Sequence, residues 1–496
     1  MGDRVIVIGA GFAGLSAACH LAAAGLDVHV LERHEQAGGR ARTFTQDGFR
    51  FDMGPSWYWM PDVFERFFRQ FGRDVADLYT LRRLDPSYRV VWPGGEHWDV
   101  PAGVDALRQL FESHETGAGA ALDRFLADAG YIYDQANTDF LFRPSLSFLE
   151  YAEPRLLFEL FRLRMHRSMA THARSFFTRE RLARLVEWPV LFLGASAKDT
   201  SAMYSLMAYA DMALGTWYPK GGMHRIVEAM VEVATDLGVE LHLGEAAERI
   251  VVRNGRARGV VTLQDTWFGD AVVAAADYHH VEQRLLEPEH RQYSASWWDA
   301  RTMSPSSLLF YLGLDGELDL PHHTLFFDED LDTHMDAVYA RARWPDRPLF
   351  YVCTPSATDP TVAPPGATNL FVLVPLAPGL RDGETEREAI FDVVMDRLQR
   401  HVGTTLRERV RVRRDYAMRD FVADYGAFKG NAYGLANTLA QTGPLKPRLK
   451  SRKVQGLYFA GQLTVPGPGM PPSLISGELA AKLVVSDRGA LVSRKA

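Results

Sequence analysis

The chain has 496 residues, of which 47% are hydrophobic and 11% aromatic, so it can build two or three structural units and cannot be globally disordered. The formal net charge of −7 gives no general reason to bind nucleic acid, and no apolar run approaches the roughly 18 residues of a membrane span. The two cysteines cannot form a disulfide framework, and the first strand leaves no room for a signal peptide, so we predict a cytoplasmic protein.

The first residues carry the pattern of a nucleotide-binding turn. Residues 4–8 read as a buried strand, the pattern G-x-G-x-x-G follows directly, and an alanine-rich helix comes next, from Leu15 to Ala24. Gly9 permits a sharp turn, Gly11 lets the backbone approach a pyrophosphate, and Gly14 lets helix and strand pack closely. Because the free amides at the start of a helix attract phosphate, a dinucleotide site is predicted here.

The chain beyond this turn indicates which dinucleotide is bound. A second strand, residues 27–31, ends in Glu32, whose carboxylate can hold ribose hydroxyls and disfavours a 2′-phosphate. The G-G-R-x-x-T segment at residues 38–43 resembles the FAD-binding segment of amine-oxidase-like flavoproteins, which implies FAD, with Arg40 supplying charge to the pyrophosphate. The candidate cofactor contacts in this part of the chain are Gly9, Gly11, Phe12, Ala13, Gly14, Glu32, Arg33, Gly39, Arg40, Gly54 and Pro55.

Two local patterns follow the nucleotide motif. The stretch from Pro61 to Phe71 places its aromatic side chains on one face of a predicted helix. Core packing is favoured for this face over contact with a substrate. Residues 88–91 and 97–100 flank Pro93-Gly94-Gly95 and predict a β-hairpin.

Residues 104–211 lack strand patterns and are interpreted as a helical insertion over the nucleotide domain. From Arg155 to Arg184 the chain carries eight arginines and two glutamates, a net charge of +6. A basic amphipathic stretch of this kind can lie on an anionic bilayer. It can equally be a cap helix whose arginines are solvated, and the sequence leaves both interpretations open.

The next part of the chain is predicted to return to the first sheet. A helix is predicted from Ile226 to Leu237, followed by strands at 239–243, 249–253 and 257–263, and by a strand at 271–276 that rejoins the first sheet. Asn254-Gly255 predicts a hairpin turn between the second and third of these strands. In amine-oxidase-like flavoproteins the strand at this position contacts the adenine through its backbone. The resemblance assigns that role to Val251.

Between Ser304 and Pro447 the pattern changes to strands rich in Leu, Phe and Tyr, at residues 307–314, 324–327, 349–353 and 370–374, with one helix from Glu384 to His401. We predict an antiparallel sheet that forms the floor of an apolar substrate site. Histidine pairs occur at 279–280 and 322–323. No cysteine or carboxylate stands at ligand spacing from them in the sequence, so no metal site is predicted.

The C-terminal residues return to the cofactor. Residues 456–462 predict a strand ending on glycine, and a helix is predicted from about Ser473 to Val485. This arrangement points a helix N-terminus at the flavin, where it favours negative charge. The candidate cofactor contacts in this part are Gly461, Gln462 and Met470.

Over nearly its full length the chain resembles bacterial phytoene desaturases and related carotenoid desaturases. One departure is visible, because related tails often read G-A-G-T-H-P-G where residues 461–467 of this chain read G-Q-L-T-V-P-G. These residues lie beside the expected flavin ring, so the preferred carotenoid is left open. The resemblance is carried by residues 217–223, 351–360, 363–366, 432–435, 439–442 and 460–471.

The resemblance implies an α/β fold with a Rossmann-like FAD-binding domain assembled from discontinuous segments. Its segments are residues 1–103, 221–300 and 451–496. A helical insertion, which is a candidate for contact with a membrane, occupies 104–220, and a β-sheet substrate domain occupies 301–450. The implied activity is removal of hydrogen pairs from a long apolar polyene, with FAD as the first acceptor and peripheral contact with lipid at the inner face of the membrane. No catalytic residue and no oligomeric state are indicated.

Three alternatives remain open from the sequence. The first is a redox-neutral carotenoid cis–trans isomerase on the same fold. The second is a flavin amine oxidase, although such enzymes favour polar amines and would not need so many apolar strands. The third is a non-enzymatic isoprenoid-binding escort protein, against which the intact Gly38-Gly39-Arg40 segment argues.

Overall fold

The computed structural model describes residues 3–151, 167–193 and 196–493. The strands are β1 (Arg4–Ile8), β2 (Asp27–Glu32), β3 (Thr43–Gln46), β4 (Phe49–Asp52), β5 (Leu81–Arg83), β6 (Tyr88–Val91), β7 (His97–Val100), β8 (Trp217–Pro219), β9 (Glu240–Leu243), β10 (Ala247–Arg253), β11 (Arg256–Thr262), β12 (Thr266–Phe268), β13 (Ala271–Ala274), β14 (Ser306–Asp315), β15 (His323–Phe326), β16 (Phe350–Cys353), β17 (Ala367–Leu376), β18 (Val410–Tyr416) and β19 (Leu457–Phe459). The α-helices are α1 (Phe12–Ala23), α2 (Pro61–Arg69), α3 (Val75–Leu78), α4 (Val104–His114), α5 (Ala118–Gln135), α6 (Met169–Arg174), α7 (Glu180–Glu187), α8 (Leu206–Met212), α9 (His224–Asp236), α10 (Tyr278–His280), α11 (Ala295–Asp299), α12 (Leu331–Met335), α13 (Glu384–Val402), α14 (Met418–Tyr425) and α15 (Met470–Ser493).

A five-stranded parallel sheet forms the centre of the nucleotide-binding half, in the order β19-β13-β1-β2-β9. Its inner strands are buried on both faces, which is why they read in the sequence as continuous apolar runs. Helices α1, α9 and α15 pack on one face, and the antiparallel sheet β10-β11-β12 packs on the other. The predicted return of the chain to the first sheet is confirmed, since β13 pairs with β1.

A seven-stranded mixed sheet forms the other half, in the order β18-β14-β17-β16-β15-β6-β7. Its pairs are antiparallel except for β15 with β6. Helix α13 covers one face, and the other face packs into the core shared with the helical segment. The hairpin β6–β7 forms as predicted, and it extends this sheet through the pairing of β6 with β15.

The segment between β7 and β8 contains helices α4 to α8 and no strand among its described residues. The aromatic face of α2 lies in the core formed with α1, which confirms core packing for Phe64, Phe67 and Phe68. No helix in the described parts of the chain is both long and apolar enough to cross a bilayer.

The basic stretch of the sequence falls partly in residues 152–166, which lie outside the described residues. Of its described arginines, three form ion pairs with carboxylates: Arg174 with Glu180 and Glu187, Arg181 with Glu96, and Arg184 with Glu180. Glu187 and Glu96 lie outside the stretch, so these two carboxylates offset part of its +6 charge, in which Glu180 is already counted.

Candidate functional site

The turn between β1 and α1 is built as the glycine motif predicts. Gly9 has a φ of +97°, which glycine adopts without strain. A Cβ added at Gly14 would lie 1.8 Å from the carbonyl oxygen of Gly9, so only glycine lets the helix pack on the turn. No side chain caps the N-terminus of α1 at Gly11. Its first-turn amides can therefore serve an anion such as a phosphate.

Glu32 closes β2 with a buried carboxylate. One oxygen accepts a hydrogen bond from the backbone N–H of Ala10 at 2.8 Å, and the other accepts from the N–H of His34 at 3.0 Å. These bonds fix the side chain between the two loops that border the nucleotide site. Each oxygen keeps a further lone pair, so the carboxylate can also accept hydrogen bonds from ribose hydroxyls.

Arg40 provides a half-buried positive charge that forms no ion pair with a carboxylate among the described residues. Its guanidinium lies 4.8 Å above the ring of Tyr425, and one Nη donates to the carbonyl of Asn431 at 3.4 Å. The Nε is buried and has no hydrogen-bond partner among the described residues. Burial lowers the pKa of the guanidinium. Because an unsatisfied buried cation is costly, this arrangement fits an anionic cofactor group such as a pyrophosphate.

These features line one large cavity with a volume of about 540 Å³. The cavity falls in the range of roughly 300–1,000 Å³ that small-molecule and cofactor pockets occupy. It runs from the nucleotide motif to the face of the larger sheet. The candidate residues that line it are Gly9, Gly11, Phe12, Ala13, Glu32, Arg33, Gly39, Arg40, Gly54, Pro55, Gly461, Gln462 and Met470.

Two candidate contacts do not line the cavity. Gly14 lies behind the turn, where its role is the close packing already described. Val251 is buried in β10, opposite Gly259 of β11. The part of this region that does line the cavity is residues 245–248, where β10 begins. The adenine contact that the resemblance assigns to Val251 stays a prediction.

The far end of the cavity is apolar. Leu309 of β14, Tyr351 of β16, and Phe371 and Leu373 of β17 form its wall on the larger sheet. The side chains of neighbouring antiparallel strands alternate between faces, so these residues share one face while their neighbours pack on α13. The sheet thus supplies an apolar wall to the cavity, and the contact of this wall with a substrate stays a prediction.

Several lining residues are absent from the sequence prediction. They follow the motif at Gly54-Pro55 or come from the helical segment and the C-terminal loops, and their aromatic or Met side chains resemble ordinary core residues. The run Trp57-Tyr58-Trp59-Met60 carries the only local signal, because aromatic residues come directly after the cofactor motif. The missed residues include Trp57, Trp59, Met60, Met207 and Tyr433.

The N-terminus of α15 also borders the cavity. The helix begins at Met470, three residues earlier than predicted, and residues 469–473 line the cavity. The positive end of a helix macrodipole therefore faces this space. The predicted placement of a helix N-terminus at the cofactor cavity agrees with this geometry.

The histidine pairs behave differently in the folded chain. His280 lines the cavity, whereas His279 stacks on Phe428 at 4.0 Å, and burial lowers the pKa of His279 to about 4. The strand pairing brings Cys353 next to His322 and His323. The sequence argument against a metal site rested on the absence of a cysteine near this pair, and that premise does not hold in three dimensions.

Comparisons with known proteins agree with this geometry. Residues 12–485 match the family described as flavin containing amine oxidoreductase. The chain is 42% identical to a carotenoid 3,4-desaturase of Haloarcula japonica, over 98% of this chain and 99% of that protein. It is 33% identical to a zeta-carotene-forming phytoene desaturase of Myxococcus xanthus, over 98% of this chain and 94% of that protein.

Solved structures show the same fold at low sequence identity. An oxidoreductase from Methanosarcina mazei superposes with a TM-score of 0.65 at 17% identity, covering 97% of this chain and all of that chain. Cyclohexylamine oxidase from Brevibacterium oxydans superposes with a TM-score of 0.60 at 16% identity, covering 99% of this chain and 100% of that chain. The cavity residues, the family match and this fold lead to one identification: the chain belongs to the flavin-containing amine oxidoreductase family and is an FAD-dependent oxidoreductase.

Proposed function

We propose that this protein desaturates a long apolar carotenoid precursor in carotenoid biosynthesis. The observation that carries the proposal is the apolar wall of the larger sheet, which continues the nucleotide site within one cavity. A polar amine would find few hydrogen-bonding groups along this wall, whereas a polyene needs none. The carotenoid and phytoene desaturases named above, which match over nearly the whole chain, support the same substrate class.

We also propose how the chain holds FAD. The backbone at Gly11 and the first turn of α1 accommodate the pyrophosphate, and Arg40 neutralises part of its charge. The carboxylate of Glu32 accepts hydrogen bonds from ribose hydroxyls. The N-terminus of α15, beginning at Met470, stabilises negative charge on the reduced ring. The start of β10 takes the adenine contact in place of Val251.

The chemistry needs little acid–base help from the protein. Bound FAD would supply the acceptor for a hydride from a saturated carbon flanked by alkenes, and loss of a proton from the adjacent carbon would complete the C=C bond. Leu309, Phe371 and Leu373 align the chain of carbons and keep water from the electron-poor carbon. The proton passes to water or to a base that we do not assign.

The decisive experiment is anaerobic mixing of the oxidised holoenzyme with a polyene in liposomes. Two substrates distinguish desaturation of phytoene from desaturation at C-3,4 of a later carotenoid. They are phytoene itself and an acyclic carotenoid that is saturated at C-3,4. We expect the flavin absorption band to bleach in proportion to the double bonds formed, as a longer-wavelength polyene band appears. A fully conjugated carotenoid serves as the control and should leave the flavin oxidised. If the polyene spectrum changes by cis–trans isomerisation alone and the flavin is not reduced, the protein is an isomerase and the proposed desaturation is wrong.

We further propose that the protein works at a membrane surface, on the cytoplasmic side. A hydrocarbon substrate resides in the bilayer, so the enzyme must collect it there. Phe148 and Leu149 are 65% and 81% exposed and lie directly before the basic part of the helical segment. Apolar side chains beside basic residues are typical of peripheral contact with anionic lipid.

A further inference from the structure

Three buried side chains meet on the larger sheet, outside the nucleotide site. His323 pairs directly with Cys353 across strands β15 and β16, so both side chains lie on the same face. His322 precedes β15 and completes what we name the His–His–Cys cluster. One ring nitrogen of each histidine and the Sγ of Cys353 lie within 4.8 Å of one another. None of the three residues is more than 2% exposed.

Hydrogen bonds fix the protonation of both rings. The Nδ1 of His323 lies 2.7 Å from the hydroxyl of Tyr351, which itself donates to the Oγ of Ser56 at 3.0 Å. The Nδ1 of His322 lies 2.6 Å from the hydroxyl of Thr358, which donates to the carbonyl of Pro355 at 3.2 Å. Since both hydroxyl protons are used, each Nδ1 carries a hydrogen and donates it.

The other nitrogen of each ring therefore carries a lone pair. Both Nε2 atoms are buried and have no hydrogen-bond partner among the described residues. Two unpartnered buried acceptors beside a thiol are costly for a protein interior. A ring that donates through one nitrogen to a fixed oxygen while its other nitrogen stays free is the arrangement found around metal-binding histidines.

We infer that the His–His–Cys cluster binds a thiophilic d¹⁰ metal ion, Zn²⁺ or Cu⁺. Imidazole nitrogen and thiolate sulfur are ligands that both ions accept. Bonds of about 2.0–2.1 Å to nitrogen and about 2.3 Å to sulfur place such donors roughly 3.3–3.8 Å apart, so the side chains need to approach by about 1 Å. The ion takes the place of the thiol proton, which leaves to solvent.

Charge distinguishes the two ions. Cu⁺ with one thiolate is neutral, which suits a buried site, whereas Zn²⁺ with one thiolate leaves one positive charge. Asp52 and Arg50 both line a small cavity together with His322 and Cys353, so the charges beside the cluster are of both signs. The structure therefore assigns the donor set and leaves the choice between the ions to the measurement.

The bound ion would brace the wall of the large cavity. The ring of Trp57 stacks on His323 at 3.9 Å with an interplanar angle of 17°. Tyr351 connects His323 to Ser56 through its hydroxyl. Trp57, Ser56 and Tyr351 all line the cavity, so an ion that fixes His323 also fixes this part of the wall. The site is independent of the proposed reaction.

The test uses the FAD-loaded protein after treatment with a chelator. A second group of possible ligands, His29, Glu240 and His242, lies elsewhere, on β2 and β9, so every sample carries His242→Ala. Zn²⁺ is titrated by calorimetry, and Cu⁺ is titrated anaerobically against a chromophoric chelator. We expect one equivalent of one of the two ions. If the ion is Cu⁺, a thiolate-related charge-transfer band in the near ultraviolet should accompany binding.

Matched variants identify the ligands. Cys353→Ala should weaken binding by about 100-fold or more, while Cys19→Ala, at the other buried cysteine, should leave binding unchanged. Tyr351→Phe removes the hydroxyl that orients His323 and should weaken binding by about 10–100-fold. If Cys353→Ala fails to fold, Cys353→His takes its place, because it keeps three donors at the site. This variant should retain metal binding and should lack any thiolate charge-transfer band. Failure of the starting protein to bind either ion, or full binding by Cys353→Ala, would overturn the inference.

Discussion

At the scale of single residues, Gly11 and Gly14 are three positions apart, and a side chain added at each should fail in a different way. A Cβ at Gly14 would lie 1.8 Å from a backbone oxygen, whereas a Cβ at Gly11 would meet only the Cα of Gly39, at 4.0 Å. Gly14→Ala should therefore destabilise the fold by about 1–3 kcal/mol or more. Gly11→Val should fold, but its branched side chain would occupy the path of the pyrophosphate.

The two outcomes are separated by two measurements. The ratio of bound FAD to protein should fall close to zero for Gly11→Val, and its thermal midpoint should match that of starting protein stripped of FAD. Gly489→Ala is the control, since a Cβ there meets nothing within 4 Å. A full complement of FAD in Gly11→Val would show that the pyrophosphate passes elsewhere.

The candidate residues illustrate what a local pattern can and cannot predict. Gly9, Gly11 and Glu32 were identifiable because one strand–turn–helix unit fixes all three positions. The four cavity-lining residues at the start of β10 were not identified, because two alanines and two glutamates carry no recognisable pattern. Val251 has the more conspicuous sequence, yet it packs in β10 against β11.

At the scale of elements, Glu478 joins α15 to α2. Its side chain is 3% exposed, and its two oxygens accept hydrogen bonds from the two Nη atoms of Arg66 at 2.7 and 2.8 Å. Lys482 lies 2.7 Å from the same carboxylate. Burial opposes ionisation of Glu478, but the hydrogen bonds from Arg66 and Lys482 outweigh it and lower the pKa from 4.5 to about 2.

A lowered folded-state pKa stabilises the protein above the unfolded value of 4.5, and this contribution is lost as the pH falls towards 2. Glu478→Gln should therefore lower the free energy of unfolding by about 2 kcal/mol at pH 7, a value discounted for the partial exposure of Arg66. The difference should shrink at pH 3.5, as measured by denaturant unfolding. Glu388→Gln, which breaks a more exposed ion pair with Arg413, is the control. A difference that does not change with pH would contradict the assignment.

Helices and strands with a clear hydropathy period were predicted from the sequence. Strand β18 was not predicted, and its residues show why. Its sequence, Val-Arg-Val-Arg-Arg-Asp-Tyr, places arginines where an apolar pattern is expected. In the folded chain Arg411, Arg413 and Arg414 lie over the rings of phenylalanines. Their guanidinium groups cover apolar surface as aliphatic side chains do elsewhere. A period based on hydropathy cannot register this form of packing.

The hairpin β6–β7 shows a second limit. Its turn and its two strands follow from adjacent residues, so they were predictable. Its neighbour in the sheet is β15, more than 200 residues later in the chain. Nothing in either strand specifies that partner, because the pairing depends on how the two halves of the protein assemble.

At the scale of the whole molecule, the proposed membrane contact has its own test. Phe148 and Leu149 are exposed, and burying each in lipid is worth roughly 1.5–3 kcal/mol. The double variant Phe148→Ser, Leu149→Ser should reduce co-sedimentation with anionic vesicles by roughly tenfold or more. Added salt should weaken binding of the starting protein if the basic stretch also contributes.

Leu263→Ser is the matched control, since Leu263 is 79% exposed but lies on the nucleotide-binding half. It should bind vesicles as the starting protein does. Equal binding by the double variant and the starting protein would exclude Phe148 and Leu149 from the lipid contact.

The order of strands in the parallel sheet has a consequence for biosynthesis. β13 lies between β1, near the start of the chain, and β19, whose residues leave the ribosome after more than 450 others. The glycine turn is thus made early, but the sheet that holds it and the helix that closes the cavity are completed only with the last part of the chain. We therefore expect FAD to bind after translation. A nascent chain should not acquire flavin absorbance before its C-terminal segment has joined the sheet.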